Sequence, residues 1–314
     1  APHRLALTGT PLENRALDLW SIVRFVNPGY LGSERAFLAR FDRSDAPPQS
    51  RRLLAAKLRP MLLRRLKRDV APELPERVEE RRDCEMSAGQ RKLYLAELAR
   101  ARREVAAMQV AGGLGRHKIQ ILAALTRLRQ ICCHPALAGG AANVRSGKFE
   151  ALFELLEPLL AEGHKVLVFS QFVKALELVR AEFKKRKIAH FELTGSTTDR
   201  PRVVKGFEEH PESCVFLISL RAGGTGLNLT AANYVVLLDP WWNPAVEAQA
   251  IDRAHRIGQD RTVIAYRLLM QGSIEERIWE LQQRKAALAS DVLGEDGFAK
   301  ALDRDALDYL FADE

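Results

Sequence analysis

From about Glu13 to Val26, apolar residues recur at Leu17, Trp20, Ile22, Val23 and Val26, the spacing of one helical face. Asn27-Pro28-Gly29 closes that helix. Before it, Arg4–Leu7 reads as a short strand that runs into Thr8-Gly9-Thr10-Pro11. Between about Ser33 and His134 the pattern is helical and rich in Arg, Leu and Ala. Ser87 is a candidate N-cap, with Gln90 at the capping-box position, for a helix reaching about Val110. Gly112, Gly113 and Gly115 interrupt it, and a further helix over about Lys118–Cys132 stops at Pro135. After the small-residue stretch Ala138–Ala142 the period changes. Strands are predicted at Val166–Phe169, His190–Leu193, Val215–Ser219, Val235–Leu238 and Val263–Arg267. Helices are predicted near Lys148–Leu160, Val173–Lys185, Pro201–Glu209, Ala245–Ala254 and Ile274–Ala289. Strands alternating with helices predict an α/β fold, a parallel sheet with helices on both faces. Ile274, Ile278, Leu281 and Leu288 lie near one stripe, so the last helix is expected to pack back as a brace. A short charged tail follows Gly294.

Composition adds bounds rather than detail. With 314 residues, 47% hydrophobic and 28% charged, the chain suits two domains, or one with a large insertion. No apolar run reaches membrane-spanning length, and Leu5–Leu7 is too short for the apolar core of a signal peptide. Cys84, Cys132, Cys133 and Cys214 lack paired C-x-x-C spacing, which argues against a disulfide framework or a zinc site and suits a reducing compartment. Cys132-Cys133-His134 invites a metal reading, but adjacent cysteines on an apolar helix favour packing. The net charge of +8, from 48 basic and 40 acidic residues, suits a polyanionic partner and equally a well-solvated surface.

Ligands of open parallel sheets bind beyond the carboxyl ends of the strands. Four predicted strand ends carry unusual residues. They are Ser170-Gln171, Thr194-Gly195-Ser196-Thr197, Arg221 with Gly223, Gly224, Gly226 and Asn228, and Asp239-Pro240-Trp241-Trp242-Asn243. Gly, Ser, Thr and Pro are ordinary turn residues, which explains any one of these loops better than it explains all four. Gly224-x-Gly226 is half a dinucleotide fingerprint, with Leu229 where the motif needs Gly or Ala. Gln249, Arg253 and Arg256 fall at i, i+4 and i+7 and share a face if the segment is helical, with Gly258 as its stop. Two guanidiniums and an amide so arranged suit a phosphate chain; a solvated basic face with Asp252 as local partner is the plainer reading.

These residues resemble the Swi/Snf branch of helicase superfamily two, in order over roughly residues 4–290. Leu7–Asn14 is similar to its motif III, Met61–Val70 with Leu74-Pro75 to its linker, and Leu128–Pro135 to its helical insertion. Ser146-Gly147-Lys148 with Val166–Phe172 resembles the motif IV region, Leu220–Leu229 motif V, and Gln249–Gln259 motif VI. Asp239–Pro244 looks more like the prokaryotic and Rad-type members than the large eukaryotic remodelers. A Walker A loop and a DExH motif are not seen, and Ser146-Gly147-Lys148-Phe149 lacks the spacing of the former.

The resemblance implies ATP hydrolysis between two RecA-like lobes. Residues 1–30 would end lobe one, 31–145 would form the linker and helical insertion, 146–293 would be lobe two with its brace, and 294–314 a tail. Residues 146–293 are expected to fold as one unit. ATP and Mg2+ would be held mainly by the first lobe, so this chain alone is expected to be inactive. Arg253 and Arg256 would be arginine fingers, and Gln249 would couple nucleotide state to lobe closure. Gly224, Gly226, Asn228 and Asp239 would approach the nucleotide, and no metal is expected on this chain. Ser170, Gln171, Thr194, Gly195, Arg221 and Trp241 would track double-stranded DNA without sequence preference. RNA polymerase or another DNA-bound complex is the implied partner class, and a prokaryotic cytoplasm, at the nucleoid, the implied location. The alternatives are a binding module that lost its ATPase, against which Gln249, Arg253 and Arg256 argue, and an RNA helicase, against which the insertion argues.

Overall fold

The computed structural model describes residues 3–7, 16–41, 48–63, 67–110, 114–140, 144–220, 222, 226–288 and 304–312. It divides into two compact units, residues 1–72 with 285–301 and residues 73–284 with 302–314.

The first unit contains helices α1 (Ala16–Val26), α2 (Glu34–Phe41), α3 (Pro48–Leu58) and α4 (Lys67–Val70). Leu19, Trp20 and Val23 of α1 and Phe37 of α2 are buried, and the Trp20 indole donates to the Gly32 carbonyl at 3.2 Å. Arg4–Leu7 is not a strand. A strand needs a neighbour to bond, and here Leu5 and Leu7 are 78% and 89% exposed. The rest of the segment resembling motif III, residues 8–14, lies outside the described residues.

The second unit is built on a six-stranded sheet of order β1-β6-β5-β2-β4-β3. Its strands are β1 (Arg77–Cys84), β2 (Val166–Ser170), β3 (His190–Leu193), β4 (Val215–Ser219), β5 (Tyr234–Leu237) and β6 (Val263–Met270). Every pairing is parallel. β2 and β4 are buried along their whole length, as expected of near-continuous apolar runs covered on both faces. The parallel α/β sheet expected from the alternating pattern is therefore present, in keeping with the RecA-like fold that the resemblance implies. Helices α7 (Gly147–Ala161), α8 (Val173–Arg186), α9 (Arg200–Glu208), α10 (Pro244–Ile251) and α11 (Ile274–Leu288) accompany the strands.

β1 was not predicted, and it pairs with β6 over its full length. Its sequence, RVEERRDC, alternates charges where a strand signal needs apolar residues. Residues 146–293 thus hold five of the six strands. In the region expected to be the helical insertion, α5 (Ala88–Val110) packs on α6 (Leu114–Cys133). Ser87 caps α5 by accepting from the Gln90 amide at 3.2 Å. Gln90 does not reach back to complete a capping box. Its amide donates to the Ile131 and Cys132 carbonyls, and its oxygen accepts from the Gly147 amide. Ile274 and Ile278 of α11 are buried, as a brace requires, and the Ile274 amide donates to the Tyr94 hydroxyl at 2.8 Å. Within the segment expected to be a charged tail, Arg304–Phe311 forms α12 and buries Leu307 and Leu310. Their spacing is an apolar stripe too short to stand out in sequence.

A fragment of residues 73–314 should unfold in one cooperative transition. A fragment beginning at Ser146 should melt at least about 5–10 °C lower, because β6 loses its outer partner and α7 and α11 lose their bonds to Gln90 and Tyr94 of α5. Equal melting temperatures in calorimetry would contradict the role given to β1.

Candidate functional site

With all strands parallel, the loops after β2, β3, β4 and β5 leave the same edge of the sheet. Asp239, after β5, is fully buried and accepts from the Ser170 hydroxyl and, at 3.2 Å, from the Gln171 amide. The Gln171 side chain reaches the Pro240 carbonyl at 3.5 Å. Asp239 therefore locks the β2 loop to the β5 loop. The Thr194 hydroxyl bonds that of Ser196 at 2.9 Å, and its amide donates to Thr197 at 3.0 Å, a local turn. Trp241 belongs to the apolar core. Its amide donates to Glu247 at 2.6 Å, and Gln282 of α11 donates to both the Trp241 and Trp242 carbonyls at 2.8 Å. Of the residues singled out from sequence, Ser170, Thr194, Asp239 and Trp241 are buried, Gln171 is half-buried, and Gly195, Gly226 and Asn228 are exposed. Gly226 has φ +52°, a conformation that favours glycine. Arg221 and Gly224 lie outside the described residues.

Gln249, Arg253 and Arg256 do not share one helical face. α10 ends at Ile251, and residues 252–258 form successive turns closed by Gly258 at φ +101°. Helix-type bonds persist only to the His255 amide, and tertiary bonds take over from there. The Arg253 carbonyl accepts from the Leu229 amide at 2.9 Å, and the Arg256 guanidinium donates to the Leu227 carbonyl at 3.4 Å. Buried Gln259 donates to the Thr230, Ala232 and Ala254 carbonyls at 3.1, 2.9 and 3.1 Å, and accepts from the Asp260 and Arg261 amides. The turn is thereby sewn to the 226–232 loop, with the Arg253 backbone at Leu229 and the Arg256 guanidinium at Leu227. Partial burial, and then the Arg256 charge, press the Arg253 guanidinium below its ordinary pKa. Arg256 is exposed.

Beneath these loops lies a buried charged cluster that sequence reasoning missed. Lys148 and Glu275 are both 0% exposed and pair at 2.6 Å. Lys148 also donates to the Leu238 carbonyl at 2.9 Å, one residue before Asp239. Burial disfavours the Lys148 ammonium, but the Glu275 carboxylate outweighs it and holds its pKa above the ordinary lysine value. Arg129 of α6 is buried, donates to the Pro240 carbonyl, and lies 4.2 Å from the Trp242 ring centroid. Ser146-Gly147-Lys148 is thus no phosphate loop. Ser146 caps α7 and bonds the Cys133 carbonyl, while a Cβ on Gly147 would sit 1.7 Å from the Glu85 carbonyl oxygen. Cys132 and Cys133 are buried and their thiol pKa values pushed well up by burial, while His134 Nδ1 accepts from the Ala136 amide at 3.1 Å. No group of three or more candidate metal ligands occurs among the described residues.

The SNF2-related domain family matches residues 1–137, and the helicase conserved C-terminal domain family matches residues 147–258. A solved structure of a Sulfolobus solfataricus SWI2/SNF2 ATPase core in complex with dsDNA is 34% identical, with a TM-score of 0.63, over 99% of this chain and 67% of that one. A Mycoplasma pneumoniae protein named as an ATP-dependent helicase is 38% identical over 98% of this chain and 29% of its own length. The Homo sapiens DNA excision repair protein ERCC-6 is 34% identical over 93% of this chain and 21% of its own. The chain belongs to the SNF2 family of helicase-like ATPases. It spans less than a third of these two relatives' lengths.

Lys148→Met should destabilise the protein by about 3–5 kcal/mol, because Glu275 is left as an uncompensated buried charge. Pairing it with Glu275→Leu should recover much of that loss. Denaturant titration decides, and a double variant less stable than Lys148→Met would contradict a charged pair.

Proposed function

We infer that this chain supplies the C-terminal part of an ATP-dependent double-stranded DNA translocase. Residues 1–30 would end a first RecA-like lobe, 31–145 would form the linker and insertion, and 146–293, completed by β1, a second lobe. ATP and Mg2+ would be bound mainly by the first lobe, and Arg253 and Arg256 would stabilise charge on the γ-phosphate when the lobes close. Gln249 would report nucleotide state to that closure. The observation that carries this reading is the 252–259 turn, which holds the Arg253 and Arg256 charges near one another, with the Arg256 guanidinium on the Leu227 carbonyl. Two adjacent guanidiniums with a partly desolvated member suit a polyanionic group that arrives only in the closed state.

DNA would be tracked through its phosphates by Gln171, Gly195 and Arg221. Buried Ser170, Thr194 and Trp241 would shape that surface from beneath. The solved dsDNA complex of the Sulfolobus SWI2/SNF2 core supports duplex DNA as the polymer. RNA polymerase or another DNA-bound complex is the proposed partner class, and a prokaryotic cytoplasm, at the nucleoid, the proposed location; the bacterial Mycoplasma relative supports the prokaryotic source. The chain alone should hydrolyse no ATP.

In the protein carrying both lobes, Arg256→Ala should lower DNA-stimulated turnover by about 10² or more, since fingers in related enzymes supply about 10³–10⁵. Arg256→Lys should rescue poorly, because an ammonium lacks the planar fork. DNA affinity should stay near wild type. Phosphate-release and DNA-binding assays in parallel test this, and normal turnover with lost DNA binding would move Arg256 to the DNA surface.

A further inference from the structure

Helix-type bonds stop at the His255 amide, so the shape of the 252–259 turn depends on what else ties it down. One side is sewn to the 226–232 loop. The other is held by the start of β1. Arg77 donates to Asp252 at 3.1 Å, and His255 Nε2 lies 2.8 Å from the Pro75 carbonyl oxygen. The Val263 amide donates to the Glu76 carbonyl at 3.0 Å, fixing this segment against β6.

Arg77 is also the second member of a longer chain. It bonds Glu79, two residues along the same face of β1. Glu79 accepts from Arg267 at 3.3 Å, Arg267 donates to Glu247 at 2.9 Å, and Glu247 accepts the Trp241 amide at 2.6 Å. Charges alternate from Asp252 through Arg77, Glu79 and Arg267 to Glu247, and the chain ends on the loop after β5. Burial works to raise the Glu79 carboxyl pKa, but Arg77 and Arg267 outweigh it and hold it below its ordinary value. Asp252 adjoins Arg253 in sequence and stabilises its charge.

We propose that Arg77 is a positioning residue for the Arg253–Arg256 pair. Through Asp252 it fixes the 252–259 turn to the amino edge of the sheet, where β1 begins. This rests on the reading of Arg253 and Arg256 given above. The ion-pair chain also ties that turn to the Asp239–Asn243 loop, so β1 acts as a strut between the two.

The test uses Arg77→Ala, Arg77→Lys, Asp252→Asn and the Arg77→Ala/Asp252→Asn pair in the two-lobed protein, with Arg256→Ala alongside. Arg77→Ala should speed amide exchange at residues 252–258 and lower kcat about tenfold, since small misplacements of catalytic groups cost up to about 10². KM for ATP, DNA affinity and melting temperature should change little. Arg77→Lys should restore part of kcat, because an ammonium can still meet Asp252. The double variant should be no worse than the worse single one, as expected of one shared interaction. If Arg77→Ala keeps wild-type kcat while Arg256→Ala loses it, the positioning role is wrong and the arginine reading stands. If Arg256→Ala itself keeps turnover, the arginine reading fails first. A loss of kcat that follows a fall in melting temperature, with exchange at 252–258 unchanged, would reduce Arg77 to a general stabiliser and overturn the proposal.

Discussion

The second unit depends on a buried ion pair. Lys148 and Glu275 meet at 2.6 Å with no exposure to water. Such charges are tolerated only when each meets its partner in good geometry. Lys148 sits in the first turn of α7, Glu275 in the first turn of α11, and the Lys148 ammonium also bonds the Leu238 carbonyl at the end of β5. Three elements must therefore converge before the pair can form. Arg129 adds a fourth, because its guanidinium lies under the same loop against Pro240 and Trp242. An apolar cluster of equal size would tolerate small slips among these elements. The charged one penalises them.

That constraint sets the floor of the candidate site. Residues 238–243 are gripped in succession by Lys148, Ser170 and Gln171, Arg129, Gln282 and Glu247. Few backbone groups remain to adjust. The loop after β2 inherits its place through Asp239, and the start of α10 through Glu247. The 252–259 turn is fixed separately, by the 226–232 loop on one side and β1 on the other. On the proposed reading, two guanidiniums on a turn so held would form a preorganised anion site that changes little when a ligand arrives.

Most of the sheet was legible in the sequence because its central strands are short apolar runs bounded by turn residues, as in Val166–Ser170 and Val215–Ser219. β1 was not, because its hydrogen bonds come from an edge position while its side chains serve ion pairs, leaving a pattern that reads as a charged linker. The end of α10 was misjudged for a related reason. Gln249, Arg253 and Arg256 keep helical spacing, but Leu229 and Gln259 take the backbone groups a helix would use. Ser170 and Asp239 looked like surface residues at strand ends, and only the fold reveals that they bond each other. Lys148 carried no signal of burial, since a lysine near a helix start is usually solvated. What sequence conveyed well was local period and turn chemistry. What it concealed was the partners of buried polar groups such as Lys148, Asp239 and Gln259.

The central claim is that Arg253 and Arg256 face a phosphate group carried by another lobe, rather than the DNA. A structure of the two-lobed protein with duplex DNA, ADP and aluminium fluoride would test it most directly. The account predicts both guanidiniums within hydrogen-bond reach of the fluoride, with the 252–259 turn unchanged and Arg77 still on Asp252. Guanidiniums turned onto the DNA backbone, with the fluoride met by other side chains, would contradict it.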